Sequence, residues 1–317
     1  MKILIGYDGS DSSDAALDDL KRAGLPHDSE ALIVSVGDLL MSSPSAEEIV
    51  KAALTSRRVA ASLKHAQTHG TRVINEAGEF AAKAADKLRS QFPEWTVNNE
   101  VITGTPAWEL IDAANRWDAD LLVVGSQGRS AISRLFLGSV SKRLSTDAGC
   151  SVRVARSDAG QKIGAPRIII GVDGSPAAEQ AIYAVGQRVW ENGTEIRLVA
   201  VDDGTPPPPR LSTFLPQAAE MVNSYFQRRE SRVQSMLEWA TGELTHIGVK
   251  TSVVTKKGDA SKILIEEARK WNADSIFVGT RDFKNAFERF RLGSVSTAVV
   301  TNAPCSVEIV RPSRPEQ

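Results

Sequence analysis

The chain has 317 residues, of which 42% are hydrophobic and 24% charged, and carries a formal net charge of -1. That is an ordinary globular composition, long enough for two domains of about 100 to 200 residues each, and its charge gives no general attraction to nucleic acid or to an anionic membrane, so neither is an expected partner. No apolar run approaches the ~20 residues of a membrane helix, and the N-terminus enters Lys2-Ile3-Leu4-Ile5 without a signal-peptide pattern, which predicts a cytoplasmic protein.

In chain order, strands are expected near residues 2 to 7, 31 to 36, 96 to 102, 120 to 124 and 151 to 155. Helices fill the gaps over Ser12 to Ala23, a long region from Ser45 to Gln91, Pro106 to Trp117, and Ser139 to Thr146, with Gly149 as the C-terminal cap of the last. The run Asp120-Leu121-Leu122-Val123-Val124 would be apolar on both faces, as a buried parallel strand requires. The only cysteines, Cys150 and Cys305, each open an apolar alternation and read as reduced core thiols.

The same order is then written again. Ile3 to Ser10 reappears as Ile168 to Ser175, a shift of 165 positions, while Trp117-Asp118-Ala119-Asp120 returns as Trp271-Asn272-Ala273-Asp274 after 154. Gly138-Ser139-Val140-Ser141 returns as Gly293-Ser294-Val295-Ser296, and Cys150-Ser151-Val152 as Cys305-Ser306-Val307, both after 155. A nearly constant shift of domain length means a duplicated folding unit. The predicted domains are 1–157 and 166–312, joined by a polar stretch from Ser157 to Pro166. The second copy's long helix follows Pro206-Pro207-Pro208-Pro209, read as an extended spacer. Strand–helix alternation predicts an α/β fold with parallel sheet, right-handed crossovers, and a ligand at the carboxyl ends of the strands.

One stretch carries functional information. Gly125-Ser126-Gln127-Gly128 follows the fourth strand, and nine residues later Gly138-Ser139-Val140-Ser141 opens a helix. A strand, a glycine loop and a helix start make an anion site, since free N–H groups and the helix dipole both favour negative charge. Glycine turns that bind nothing are also common in α/β proteins. The spacing is neither a Walker loop nor the dinucleotide fingerprint.

It resembles the ATP-binding motif of the universal stress protein family, and the resemblance extends over both halves. It implies two tandem doubly wound parallel five-stranded sheets, Rossmann-like and similar to the adenine nucleotide alpha hydrolases, each in the order 3-2-1-4-5. It also implies ATP as ligand, an aspartate after the first strand within the nucleotide site, here Asp8, and adenine against backbone groups near Val36. The residues themselves leave alternatives open: Asp8 also suits a turn or cap before the first helix, and Val36 also reads as a core valine. Arg129 is placed either on phosphate oxygens or on an exposed loop. Ser139, Val140 and Ser141 offer hydroxyls and N–H groups to phosphate, with helix capping as the competing role.

In the second copy Asp282 stands where Gly128 stands in the first, adding a side chain and a negative charge where phosphate would sit. Two unit charges ~4 Å apart repel by roughly 4 kcal/mol near a protein surface, so one working site, in the first half, is expected. No histidine lies near the motif. His65 and His69, four apart on a helix, lack the glutamate of a metalloprotease pattern and read as a solvated face. No set resembling a phosphoryl-transfer site is visible, so the expectation is an ATP-binding regulatory module, not an enzyme. The alternatives are a slow ATPase with Asp8 holding magnesium, or a structural dimerisation unit with a vestigial site. The last strands of the two halves are expected at sheet edges that pair as an internal pseudo-dimer, with a homodimer of chains also open.

Overall fold

The computed structural model describes residues 1–38, 56–128, 137–156, 163–204, 218–280 and 292–312. The first half runs β1 (Lys2–Gly6), α1 (Asp11–Asp19) with a 3-10 turn (Leu20–Arg22), β2 (Glu30–Gly37), α2 (Ser56–Gln91), β3 (Thr96–Thr103), α3 (Pro106–Arg116), β4 (Leu121–Gly125), α4 (Ser139–Asp147) and β5 (Ser151–Ala155). The second runs β6 (Arg167–Val172), α5 (Pro176–Gly186), β7 (Glu195–Asp202), α6 (Ala218–His246), β8 (Lys250–Lys257), α7 (Ala260–Trp271), β9 (Ser275–Gly279), α8 (Ser294–Asn302) and β10 (Ser306–Val310). The proline run Pro206–Pro209 lies outside the described residues.

The ten strands among the described residues belong to one sheet in the order β3-β2-β1-β4-β5-β10-β9-β6-β7-β8. Each half keeps the expected order 3-2-1-4-5 with parallel neighbours. What differs from two separate sheets is the join: β5 and β10 pair antiparallel, Val307 opposite Val154 and Ile309 opposite Val152, so neither presents a free edge.

Alternation along the strands sorts side chains to two faces. On one face Leu4, Leu122, Val152 and Val307 belong to a single core that spans both halves beneath α3, α4, α7 and α8. On the other face there are two cores. Ile3, Ile5 and Val123 meet Leu17 of α1 and Leu88 of α2, whereas Ile168, Ile170 and Phe277 meet Ile182 of α5 and Leu244 of α6.

The repeated Trp-Asp/Asn-Ala-Asp sequence has a structural explanation. Asp118 (φ 51°) and Asn272 (φ 52°) take the left-handed conformation that ends α3 and α7, which short polar side chains tolerate best after glycine. The following aspartates then fix strand register: Asp120 Oδ2 accepts the Lys2 N–H at 2.7 Å and Asp274 Oδ2 accepts the Arg167 N–H at 2.7 Å.

Gly149 does not cap α4 as expected. The helix ends in extended backbone at Ala148 (ψ 144°), and its last carbonyls are met by a side chain from the other half. Arg311 donates to Ser145 O at 2.6 Å and Thr146 O at 3.1 Å, while burial pushes its guanidinium down to about 10, still cationic at neutral pH. Cys305 is buried and Cys150 half-buried, and neither is in a disulfide.

Candidate functional site

The site lies at the carboxyl end of the first half's strands, where β1 and β4 run side by side with Gly6 opposite Val124. As the chain leaves β1, Asp8 folds back into a turn: its Oδ1 accepts the Ser10 N–H at 3.1 Å and the Ser10 hydroxyl at 2.6 Å. The helix cap is Ser10, whose Oγ accepts the Ser13 N–H at 3.2 Å. Asp8 therefore has the turn role and not the cap role. The second half repeats this, Asp173 Oδ1 accepting the Ser175 N–H at 3.0 Å.

At the end of β4 the backbone passes against α1. A Cβ on Gly125 would stand 2.5 Å from the Ser12 carbonyl oxygen, a distance no side chain tolerates. The glycine at this position is thus required by helix packing. The loop is then pinned on three sides: Gln127 N–H donates to Ser12 Oγ at 3.1 Å, Gly138 N–H to Ser126 O at 2.8 Å, and Ser141 Oγ to Gly125 O at 2.6 Å. The sequence marks Ser12 only as a helix start and Ser126 only as part of the glycine loop, because a serine in the first turn of a helix carries no signal that it supports a loop more than a hundred residues away.

Gly128 faces Asp8. A Cβ built there would stand 3.1 Å from Asp8 Oδ2, so any side chain would enter the gap between the carboxylate and the loop. α4 begins directly beyond this gap. Gly138 is its N-cap residue, with no side-chain cap, and Ser139 is exposed. The first N–H groups of a helix have no intrahelical partner, so the amides at Ser139 and Val140 are available as anion donors. Ser141, in contrast, is buried with its hydroxyl committed to Gly125 O. Its role is to support the loop.

Val36, next to last in β2, lies opposite Ile102 of β3 and packs at the margin of the shared core, one strand beyond β1 at the same end of the sheet. The two strand ends are tied together, since Ser35 Oγ donates to Tyr7 O at 2.8 Å in a buried contact. Burial first, then a hydrogen bond to Asp14, push the Tyr7 hydroxyl well above its ordinary range, so it is neutral at any physiological pH. Asp8, Gly125, Gly128, Gly138, Ser139, Val140 and Ser141 are thus brought together, with Val36 beside them. Arg129 lies outside the described residues, as do Asp282 and the side chains of His65 and His69.

The second half also has a cleft at the equivalent end, of ≈ 130 Å³, lined by Asp173, Val201, Arg229, Gly279 and Ser294 among others. Gly279 meets the same constraint as Gly125, its Cβ position lying 2.1 Å from Ala177 O, and Ser296 Oγ donates to Gly279 O at 3.0 Å. Helix packing thus requires the glycine, and the hydrogen bond accounts for the serine. Arg229 on α6 pairs with Asp203 at 2.8 Å across this cleft. No group of three or more metal-ligating side chains occurs among the described residues.

The model of the universal stress protein family matches the chain twice, at residues 1–156 and 165–311. A universal stress protein of Mycolicibacterium smegmatis is 26% identical over 317 residues, covering 98% of this chain and 97% of its own length. The crystal structure of a universal stress protein from Archaeoglobus fulgidus aligns with a TM-score of 0.63 at 19% identity, over 98% of each chain, a likeness of fold. An Arabidopsis thaliana family structure with AMP bound aligns with a TM-score of 0.34 at 20% identity, over 46% of this chain and 90% of that one.

Proposed function

The chain belongs to the universal stress protein family in tandem form, and from its site we propose that it is an ATP-binding regulatory module whose first half, 1–157, holds the nucleotide. The observation that carries this reading is the gap between Asp8 and Gly128, closed behind by a loop pinned to the uncapped start of α4. The loop amides and the N–H groups of Ser139 and Val140 supply donors to phosphate oxygens, and the α4 dipole adds to them. Asp8 lies too close to the loop to serve as a phosphate partner. A carboxylate there suits a ribose hydroxyl, or a magnesium ion that takes its remaining oxygens from phosphate and water. Backbone groups beside Val36 suit the base.

The second half, 166–312, is proposed to be degenerate: it keeps the packing glycine and serine, while Asp282 replaces the glycine that faces the carboxylate in the first half. On this reading the halves, joined through β5 and β10, act as an internal pseudo-dimer, with nucleic acid and membrane outside the proposed partners and the cytoplasm as the proposed compartment.

Binding without turnover is the reading adopted, because the described side chains at the gap offer one carboxylate and no lysine or histidine to act on a transferred phosphoryl group. Mass spectrometry of the full chain purified from its host tests this. Co-purified ATP supports a binding module, ADP alone points to slow hydrolysis at Asp8, and a chain that neither carries nor takes up adenine nucleotide overturns the proposal.

A further inference from the structure

Arg153 and Glu308 occupy equivalent positions of the two halves, 155 residues apart, and are register partners in the antiparallel β5–β10 pair. The pseudo-two-fold relating the halves therefore passes through this pair. Any residue on such an axis meets its own counterpart. If two first halves associated in this way Arg153 would face Arg153, and if two second halves did, Glu308 would face Glu308. In the chain the contact is between opposite charges, Arg153 Nη1 donating to Glu308 Oε2 at 3.2 Å with exposures of 0% and 1%.

The surroundings break the symmetry in the same sense. Arg153 is held inside its own half by Asp19, through Nε at 2.6 Å and Nη2 at 3.2 Å. Glu308 is held inside its own half by Arg188. The positions equivalent to Asp19 and Arg188, at a shift of 165, are Ala184 and Ala23, so neither half repeats the other's charges. Each half's own ion pair is neutral. Discrimination therefore rests on the bond that crosses at the axis, Arg153 to Glu308; the other crossing bonds, Ser306 Oγ to Asp19 Oδ1 at 2.8 Å, Arg188 Nη1 to Ala23 O at 2.7 Å and Arg22 Nε to Asp274 Oδ1 at 2.8 Å, can each form in one of the like pairs as well, because Ser151, the Arg188 carbonyl and Asp120 stand at the equivalent positions. This ionic cluster fills the space between the two separate cores of that sheet face.

We infer that β5 and β10 form a heterospecific docking surface, on which each half accepts the other half and rejects a copy of itself. A like pair would set two Arg153 guanidinium groups or two Glu308 carboxylates opposite each other on the axis in place of the buried Arg153–Glu308 pair, and like charges brought together at an interface are disfavoured. The partner of either surface is the other half of the same chain or, in a swapped assembly, of a second copy. The inference is independent of nucleotide binding.

The test uses the complete chain with a protease site placed between Arg156 and Ile163. The chain is cleaved after purification, unfolded in urea and refolded by dilution, and the pairs are counted by native mass spectrometry. Random pairing gives about one half unlike pairs, whereas the Arg153–Glu308 pair predicts like pairs below about one in ten. A higher share of like pairs overturns the inference. A variant with Asp19→Leu, Arg153→Met, Arg188→Met and Glu308→Leu keeps the volume apolar, as such replacements often allow without loss of stability. Like pairs should then rise at least fivefold, and unchanged selectivity would show that the charges are not its source. If that variant does not fold, Glu308→Gln takes its place: pairs of two second halves should appear, and their absence overturns the inference.

Discussion

Arg156 and Arg311 stand 155 residues apart at equivalent positions, and each crosses the shared edge to close the last helix of the other half. Arg156 donates to Val300 O at 2.7 Å and Thr301 O at 2.9 Å of α8, as Arg311 does to Ser145 O and Thr146 O of α4. Charged hydrogen bonds to helix C-terminal carbonyls contribute roughly 1.5 to 3 kcal/mol each when shielded from water. Arg156→Ala and Arg311→Ala should each lower the melting temperature by about 3 to 8 °C, and the double variant by close to the sum. Calorimetry of the full chain checks this. A variant that melts with the wild type would show that the caps contribute nothing.

The glycines that end β4 and β9 should behave alike whatever the halves bind. Gly125→Ala and Gly279→Ala each drive a Cβ into helix backbone, at Ser12 and Ala177. Overpacking of this kind costs roughly 1 to 3 kcal/mol or more. Both variants should lose several degrees of melting temperature. If only Gly125→Ala were destabilised, the packing explanation for Gly279 would be wrong.

Ser141 and Ser296 form a second matched pair. Each buried hydroxyl satisfies a strand-end carbonyl, so alanine at either site should cost ~1 kcal/mol, or about 2 to 4 °C, in thermal melts. Ser141→Ala should change ATP affinity less than twofold, because its hydroxyl supports the loop and does not face the gap. A tenfold loss would make Ser141 a direct ligand.

Acid sensitivity should come partly from Glu267 on α7. Burial raises its carboxyl, but the hydrogen bond and charge of Lys256 and the charge of Arg197 outweigh this and hold it below the ordinary value. With the folded-state value depressed, the stabilisation is present above the unfolded value of 4.5 and is lost as pH falls through the folded one. Between about pH 7 and pH 3.5 the wild type should lose more melting temperature than Glu267→Gln does. Melting curves at both pH values decide this, and equal losses would remove Glu267 from the account.

Much of this architecture is legible in the sequence, because duplication prints the same signals twice and a parallel strand such as Leu121–Gly125 must be apolar on both faces. The glycine loop is legible as well, by spacing. Illegible were the contacts that join distant positions. Gly149 reads as a cap until Arg311 arrives from another half of the chain. Gly125 reads as bare backbone for a ligand, whereas Ser12 is what presses against it. Arg153 sits in a strand read as apolar alternation, and its two carboxylate partners lie 134 and 155 residues away. Local periodicity has no access to such pairs, since what stabilises them is burial created by the fold.

The gap between Asp8 and Gly128 is tested most directly by calorimetric titration of the full chain with ATP, beside the Gly128→Asp variant that copies Asp282. The account predicts one ATP per wild-type chain, and at least a tenfold weaker Kd in the variant, since a carboxylate near phosphate costs more than about 1.4 kcal/mol. Two ATP per chain, none, or undiminished binding by Gly128→Asp would contradict it.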